Sequence, residues 1–101
     1  MSAIGVETQE NGVRIVFEPA LAISCARELR DQLDPLLAGS ESITFDASRV
    51  ERTDAAVMQL IAAFVAAARN RRRTYRWESH STTFRNAASL LGLSDMLEVP
   101  T

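Results

Sequence analysis

Hydrophobic and polar positions change period several times along this chain, and the changes mark out its elements. Residues 4–9 and 13–18 are strand-like and flank Glu10-Asn11-Gly12. Asn-Gly tolerates positive φ at both turn positions, so the pair predicts an N-terminal β-hairpin. Val13, Ile15 and Phe17 alternate with Arg14, Val16 and Glu18, and Pro19 ends the run. Leu21-Ala22-Ile23 then leads to Ser24, an expected N-cap. From there Cys25, Leu29, Leu33 and Leu36/Leu37 recur at helical spacing, with Arg27, Glu28, Arg30, Asp31 and Gln32 facing away. Asp34-Pro35 is expected to bend or interrupt the last turn and Gly39 to stop it.

Ser42 to Asp46 is short, β-prone and set between two helices, which predicts a central parallel strand. A loop follows over 47–53. Helix two is expected to open at Asp54, where Val57, Leu60, Ile61, Phe64, Val65 and Ala68 form one apolar stripe. It closes on Arg69-Asn70-Arg71-Arg72-Arg73, where positive charge suits the negative end of a helix. Thr74 to Glu78 reads as a strand. Ser81 is expected to cap a third helix with Phe84, Ala87, Ala88 and Leu91 inward, and Gly92-Leu93 to terminate it. Residues 94–101 read as a short turn or a small terminal strand. The order β-β-α-β-α-β-α predicts an α/β sheet covered by helices on at least one face.

Length and composition narrow the class. A chain of 101 residues is about one small domain, here 1–101. Hydrophobic residues at 47% and charged residues at 24% are ordinary globular values. A formal charge of −2 supplies no global field for nucleic acid. Cys25 is the lone cysteine, which suits a reducing compartment. The first residues carry neither a basic nor an apolar signal region, and no apolar run is long enough to span a bilayer. A cytoplasmic location is expected.

Most chemistry lacks its residues. Cys25 sits on a buried-looking stripe and His80, the lone histidine, in a polar Ser79-His80-Ser81 turn. Neither has a partner for nucleophile–base work. No His/Cys/Asp cluster has metal spacing, and neither a phosphate-binding glycine loop nor GxSxG is present. Asp46 and Asp54 flank one loop, where helix capping and loop hydrogen bonds account for them better than acid–base catalysis. No enzyme, cofactor or metal is expected. Arg69 and Arg71 to Arg73 form a basic run better explained as a solvated helix end than as a phosphate site.

The informative segment is Phe45 to Leu60. A strand ends at Asp46, a tight loop follows, and a helix opens at Asp54 with Ala55 and Ala56 behind it. The first turn of such a helix offers unpaired N–H groups and partial positive charge. Small side chains there let another protein approach the backbone. An ordinary strand-to-helix connection with Asp54 as N-cap fits the same residues.

This segment resembles the signature of STAS domains, the family of sulfate transporters and anti-sigma-factor antagonists. Asp46 and Ser48 match the family's strand end, Val50 its hydrophobic loop position, and Asp54 its helix-opening Asp. Leu21 to Leu33 resembles its first helix and approach, and Leu90-Leu91-Gly92-Leu93 its C-terminal ending. The resemblance implies a four- or five-stranded mixed sheet with helices packed mainly on one face. It also implies a bacterial regulatory module that docks an anti-sigma factor or kinase-like signalling protein. The partner-binding residues would be Ser48, Thr53, Asp54, Ala55, Ala56 and Val57, with Met58 and Gln59 at the rim.

The chain departs from the family at three consecutive positions, 55 to 57. Where phosphoswitch antagonists carry Asp-Ser-Ser-Gly, this sequence has Asp54-Ala55-Ala56-Val57. Ala56 stands at the phosphoacceptor position and has no hydroxyl. Thr53 and Ser48 are the neighbouring hydroxyls. The resemblance also allows a STAS subunit resting on the ATPase of a phospholipid ABC transporter, or a chemotaxis-linked adaptor. Neither direct nucleic-acid binding nor membrane insertion is implied. Edge pairing at the N-terminal hairpin would allow a homodimer.

Overall fold

A computed structural model describes residues 3–99. In chain order the elements are β1 (Ile4–Gln9), β2 (Gly12–Phe17), β3 (Ala20–Leu21), α1 (Ala26–Leu37), β4 (Ser42–Ala47), β5 (Arg52–Thr53), α2 (Ala55–Asn70), β6 (Tyr75–His80) and α3 (Thr82–Leu90). A 3₁₀ turn over Ile23–Cys25 precedes α1. The main sheet has the order β1-β2-β4-β6. β1 and β2 form the expected antiparallel hairpin, and β2-β4 and β4-β6 are parallel. The sheet is therefore mixed, with β4 in its interior.

Strand alternation sorts the side chains. Val13 and Ile15 of β2 lie in register with Ile43 and Phe45 of β4, and these four, with Phe17 and Ala47, are buried. Leu29 and Leu33 of α1, Val57, Ile61, Phe64 and Val65 of α2, and Phe84 of α3 join them in one core. Phe45 stacks on Trp77 at 4.6 Å and meets Phe64 edge-on at 6.0 Å, which ties the sheet to α2. The helices thus cover one face. The opposite face carries Arg14, Thr44, Asp46, Arg76 and Glu78. β1 is an edge strand, and the Ala3 and Ile4 N–H groups donate to Gln32 Oε1 of α1 at 3.1 and 3.3 Å rather than to a further strand.

Several local expectations needed correction. Ser24 does not cap α1: Cys25 holds that position without a side-chain cap bond, and Ser24 is exposed in the 3₁₀ turn. Cys25 is half-buried, its Sγ donating to the Ala22 carbonyl at 2.9 Å, and burial pushes its thiol pKa up. Pro35 lies inside the last turn of α1 rather than interrupting it. The strand expected over 74–78 runs on to His80, because a bulge opposite Phe45/Asp46 adds a residue to β6. His80 consequently leaves the polar turn. It stacks on Trp77 at 4.8 Å, and its Nε2 lies 3.0 Å from the Leu97 carbonyl. Residues 94–99 form turns with Leu97 and Val99 buried, and the last two residues of the expected terminal element lie outside the described residues.

The basic run does structural work. Arg71 Nη1 donates to the Leu37 carbonyl at 2.9 Å. Arg73 donates to the Leu36 and Glu41 carbonyls, each at 2.7 Å. The bonds to Leu36 and Leu37 satisfy carbonyls that the end of α1 leaves unpaired. Among the described residues no helix is long and apolar enough to cross a membrane.

Candidate functional site

The site grows from the end of β4. Asp46 points to the open sheet face, where it pairs with Arg14 Nη2, and its Oδ1 accepts the Ser48 N–H at 2.9 Å. Burial pushes the Asp46 pKa up, but the bonds from Ser48 and the charge of Arg14 outweigh it, and the carboxyl titrates below its ordinary value. Arg14 also reaches Glu78 at 2.8 Å and Glu7 at 3.1 Å. Asp46 therefore works as an anchor for the turn after β4, and its carboxylate is fully engaged.

The loop from 48 to 53 is held at three points. Val50 is buried. The Glu51 and Arg52 N–H groups both donate to the Pro19 carbonyl, at 2.8 and 2.9 Å. β5 then pairs in parallel with β3, Ala20 opposite Arg52 and Leu21 opposite Thr53. Neither short strand was foreseen, since two residues give no readable period. Together they fix Thr53 and Asp54 at the mouth of α2.

Asp54 is the N-cap, as expected. Its backbone is extended (φ −143°, ψ 174°) and its Oδ1 accepts the Val57 N–H at 3.1 Å. Its Oδ2 accepts the Ile23 N–H at 2.5 Å, joining the start of α2 to the turn before α1. Ala55, Ala56 and Gln59 are exposed, so the helix start is open to the surface. Val57 and Met58 are 0% exposed. Their side chains support the turn from beneath, so neither Val57, expected among the partner-binding residues, nor Met58, expected at the rim, offers a side chain to a partner. The helical period explains this: both point down into the core with Ile61 and Val65.

A cleft of about 220 Å³ opens beside this turn, lined by Thr53, Asp54, Ala55, Ala87, Leu90 and Leu91. Thr53 contributes an Oγ1 that is shielded from solvent and has no hydrogen-bond partner among the described residues. Ser48 is exposed at the other end of the loop and does not line the cleft. The structure thus brings Thr53, Asp54 and Ala55 together and leaves Ser48 apart. Two residues escaped the sequence reading. Leu90 is 88% exposed at the end of α3, and Ile23 is 66% exposed beside Asp54. The signal for Leu90 was present: a leucine on the outer face of a helix whose stripe runs through Phe84, Ala88 and Leu91.

A family model described as "Mlab, STAS domain" matches residues 4–98. The chain belongs to the STAS domain family. Solved structures agree on the fold. The unphosphorylated anti-sigma factor antagonist SpoIIAA superposes with a TM-score of 0.74 at 16% identity, over 93% of this chain and 84% of its own. An anti-sigma factor antagonist from Mycobacterium paratuberculosis gives 0.73 at 17% identity, over 94% and 86%. A crystal structure of Mglu gives 0.68 at 22% identity over 79% of this chain, which spans only 20% of the Mglu chain. A search of curated proteins finds no match. At these identities the neighbours speak to the STAS fold, and the site must be argued from its own residues.

Proposed function

We propose that this STAS domain is a non-enzymatic bacterial regulatory module, cytoplasmic, that docks a signalling protein on the first turn of α2. The observation that carries this reading is the surroundings of that turn. Ala55 and Ala56 leave the backbone approachable, and two large exposed hydrophobics, Ile23 and Leu90, flank them. Apolar side chains at such exposure, gathered around a rigid helix start, are what a partner covers.

The domain neighbours that are anti-sigma factor antagonists support a partner of the anti-sigma or kinase-like class. Control by phosphorylation at Ala56 is absent for want of a hydroxyl. The shielded Thr53 Oγ1 is a poor substitute, which leaves Ser48 as the exposed hydroxyl of the loop. The second reading is a STAS subunit seated on the ATPase of a phospholipid ABC transporter; such subunits often carry Thr or Ser after the Asp, where this chain has Ala55.

Co-purification with the candidate partners decides the matter. Capture of an anti-sigma or histidine-kinase-like ATPase supports the first reading, and capture of an ABC ATPase the second. Ala56→Asp should fold normally and lose the partner. Unchanged capture would move the interface away from α2.

A further inference from the structure

We infer that the cleft between α2 and α3 is where a second copy of this chain docks, each copy placing its Leu90 in the cleft of the other. The cleft holds about 220 Å³ and is lined by Thr53, Asp54, Ala55, Ala87, Leu90 and Leu91. That is below the roughly 300 Å³ at which small-molecule sites begin, and it fits a side chain. Its polar wall asks for no charged occupant. Asp54 Oδ1 accepts the Val57 N–H and Oδ2 the Ile23 N–H, so the carboxylate is already served within the chain. Thr53 Oγ1 is shielded from solvent, and no basic residue lines the cleft. What remains is a surface of alanine and leucine that suits an uncharged apolar group.

The chain carries such a group at the rim. Leu90 is 88% exposed, the barest large hydrophobic among the described residues, and it leaves the cleft beside it open. Its exposed neighbours on α3, Asn86 and Ser89, are uncharged, so the rims of two copies meet without like charges. Knob and hole lie side by side. A two-fold axis past the rim therefore seats both leucines at once, with the same patch serving on both chains. A patch this small buries less than a standard interface, so the dimer should be weak, with a Kd between about 10 µM and 1 mM. The inference goes beyond the docking reading and does not need it. Where both hold, partner and second copy compete for the first turn of α2, a control that requires no hydroxyl at Ala56.

Sedimentation of the pure chain from about 10 µM to 1 mM tests this, and the native chain should shift from monomer toward dimer across that range. Leu90→Ser should weaken association at least about tenfold. Val6→Lys, which blocks edge pairing at the exposed Val6 of β1, should leave it unchanged. In a mixture of labelled and unlabelled chains, the Leu90 methyls should show NOEs to Ala55 and Ala87 of the other copy. This readout needs no variant, so it stands even if Leu90→Ser perturbs the fold. A monomer throughout, an association that survives Leu90→Ser, one abolished by Val6→Lys, or intermolecular NOEs confined to other faces would overturn the inference. The docking reading fails separately, through unchanged capture of the partner by Ala56→Asp. A native chain that stays monomeric while Ala56→Asp loses the partner keeps that reading and sinks this one.

Discussion

The Ile23 N–H donates to Asp54 Oδ2 at 2.5 Å, so one carboxylate caps α2 and also pins the turn that leads into α1. Asp54→Ala removes both bonds at once. A lost N-cap costs about 1 kcal/mol, and the second charge-assisted bond about as much again. Thermal melting should fall by roughly 10 °C for a domain of this size. Asp54→Asn keeps a capping oxygen and should lose less than half of that. Equal losses in the two variants would mean that the charge, and not the cap, is what α2 needs.

Asp46 gives the fold an acid-sensitive anchor. Its folded pKa lies below the ordinary carboxylate value, so the folded state favours the ionised form. The resulting stability is fully present above the unfolded pKa of about 4 and is lost as pH falls through the lower folded value. Chemical denaturation at pH 6 and at pH 3 should therefore show a larger drop for the native chain than for Asp46→Asn. At pH 6 that variant should be less stable by about 2 kcal/mol, since charge-assisted bonds from Arg14 and Ser48 weaken together. A native-like pH profile in Asp46→Asn would assign the acid sensitivity to other groups.

Much of this architecture was readable from the chain because its elements obey a period. The β1-β2 turn followed from Asn11-Gly12, β4 from its position between two helices, and α2 from the stripe Val57 to Ala68. What escaped depends on contacts distant in sequence. β3 and β5 exist because Pro19 accepts bonds from Glu51 and Arg52, more than thirty residues away. Ser24 lost its expected role because Asp54 takes the Ile23 N–H and the chain tightens into a 3₁₀ turn. His80 looked like a turn residue until the β6 bulge carried it over the aromatic core. For the site, the helix start was legible and its apolar flanks were not, since exposure of Ile23 and Leu90 is set by which surfaces the fold leaves open.

His80 should impose a second pH dependence, at milder acidity. Burial first, and the charge of Arg85 after it, lower its pKa, with the Leu97 carbonyl opposing. A histidine whose folded pKa is depressed stabilises the fold fully above its unfolded value of about 6.5 and loses that contribution as pH falls toward the folded value. Stability measured at pH 7.5 and pH 5.5 should decline in the native chain. His80→Gln removes the titration and should flatten this window while leaving the Asp46 transition at lower pH in place. An unchanged decline in the variant would assign the effect elsewhere.

The two long-range helix stops make a matched pair of substitutions. In α3, Gly92 has φ +70°, Gly92 N–H bonds Ser89 and Leu93 N–H bonds Ala88. In α2, Arg72 has φ 55°, Arg72 N–H bonds Arg69 and Arg73 N–H bonds Ala68. Both are Schellman endings, but only the first has the residue that left-handed backbone favours. A β-carbon added at Gly92 would meet nothing within 4 Å, so Gly92→Ala isolates the backbone cost. It should destabilise by about 1 kcal/mol. Arg72→Gly releases the same strain and gives back part of it through greater freedom of the unfolded chain. It should stabilise by about 0.5 kcal/mol in urea denaturation, with Arg71 and Arg73 still clamping α1. Loss of stability in Arg72→Gly would mean that the Arg72 side chain holds contacts worth more than the strain it bears.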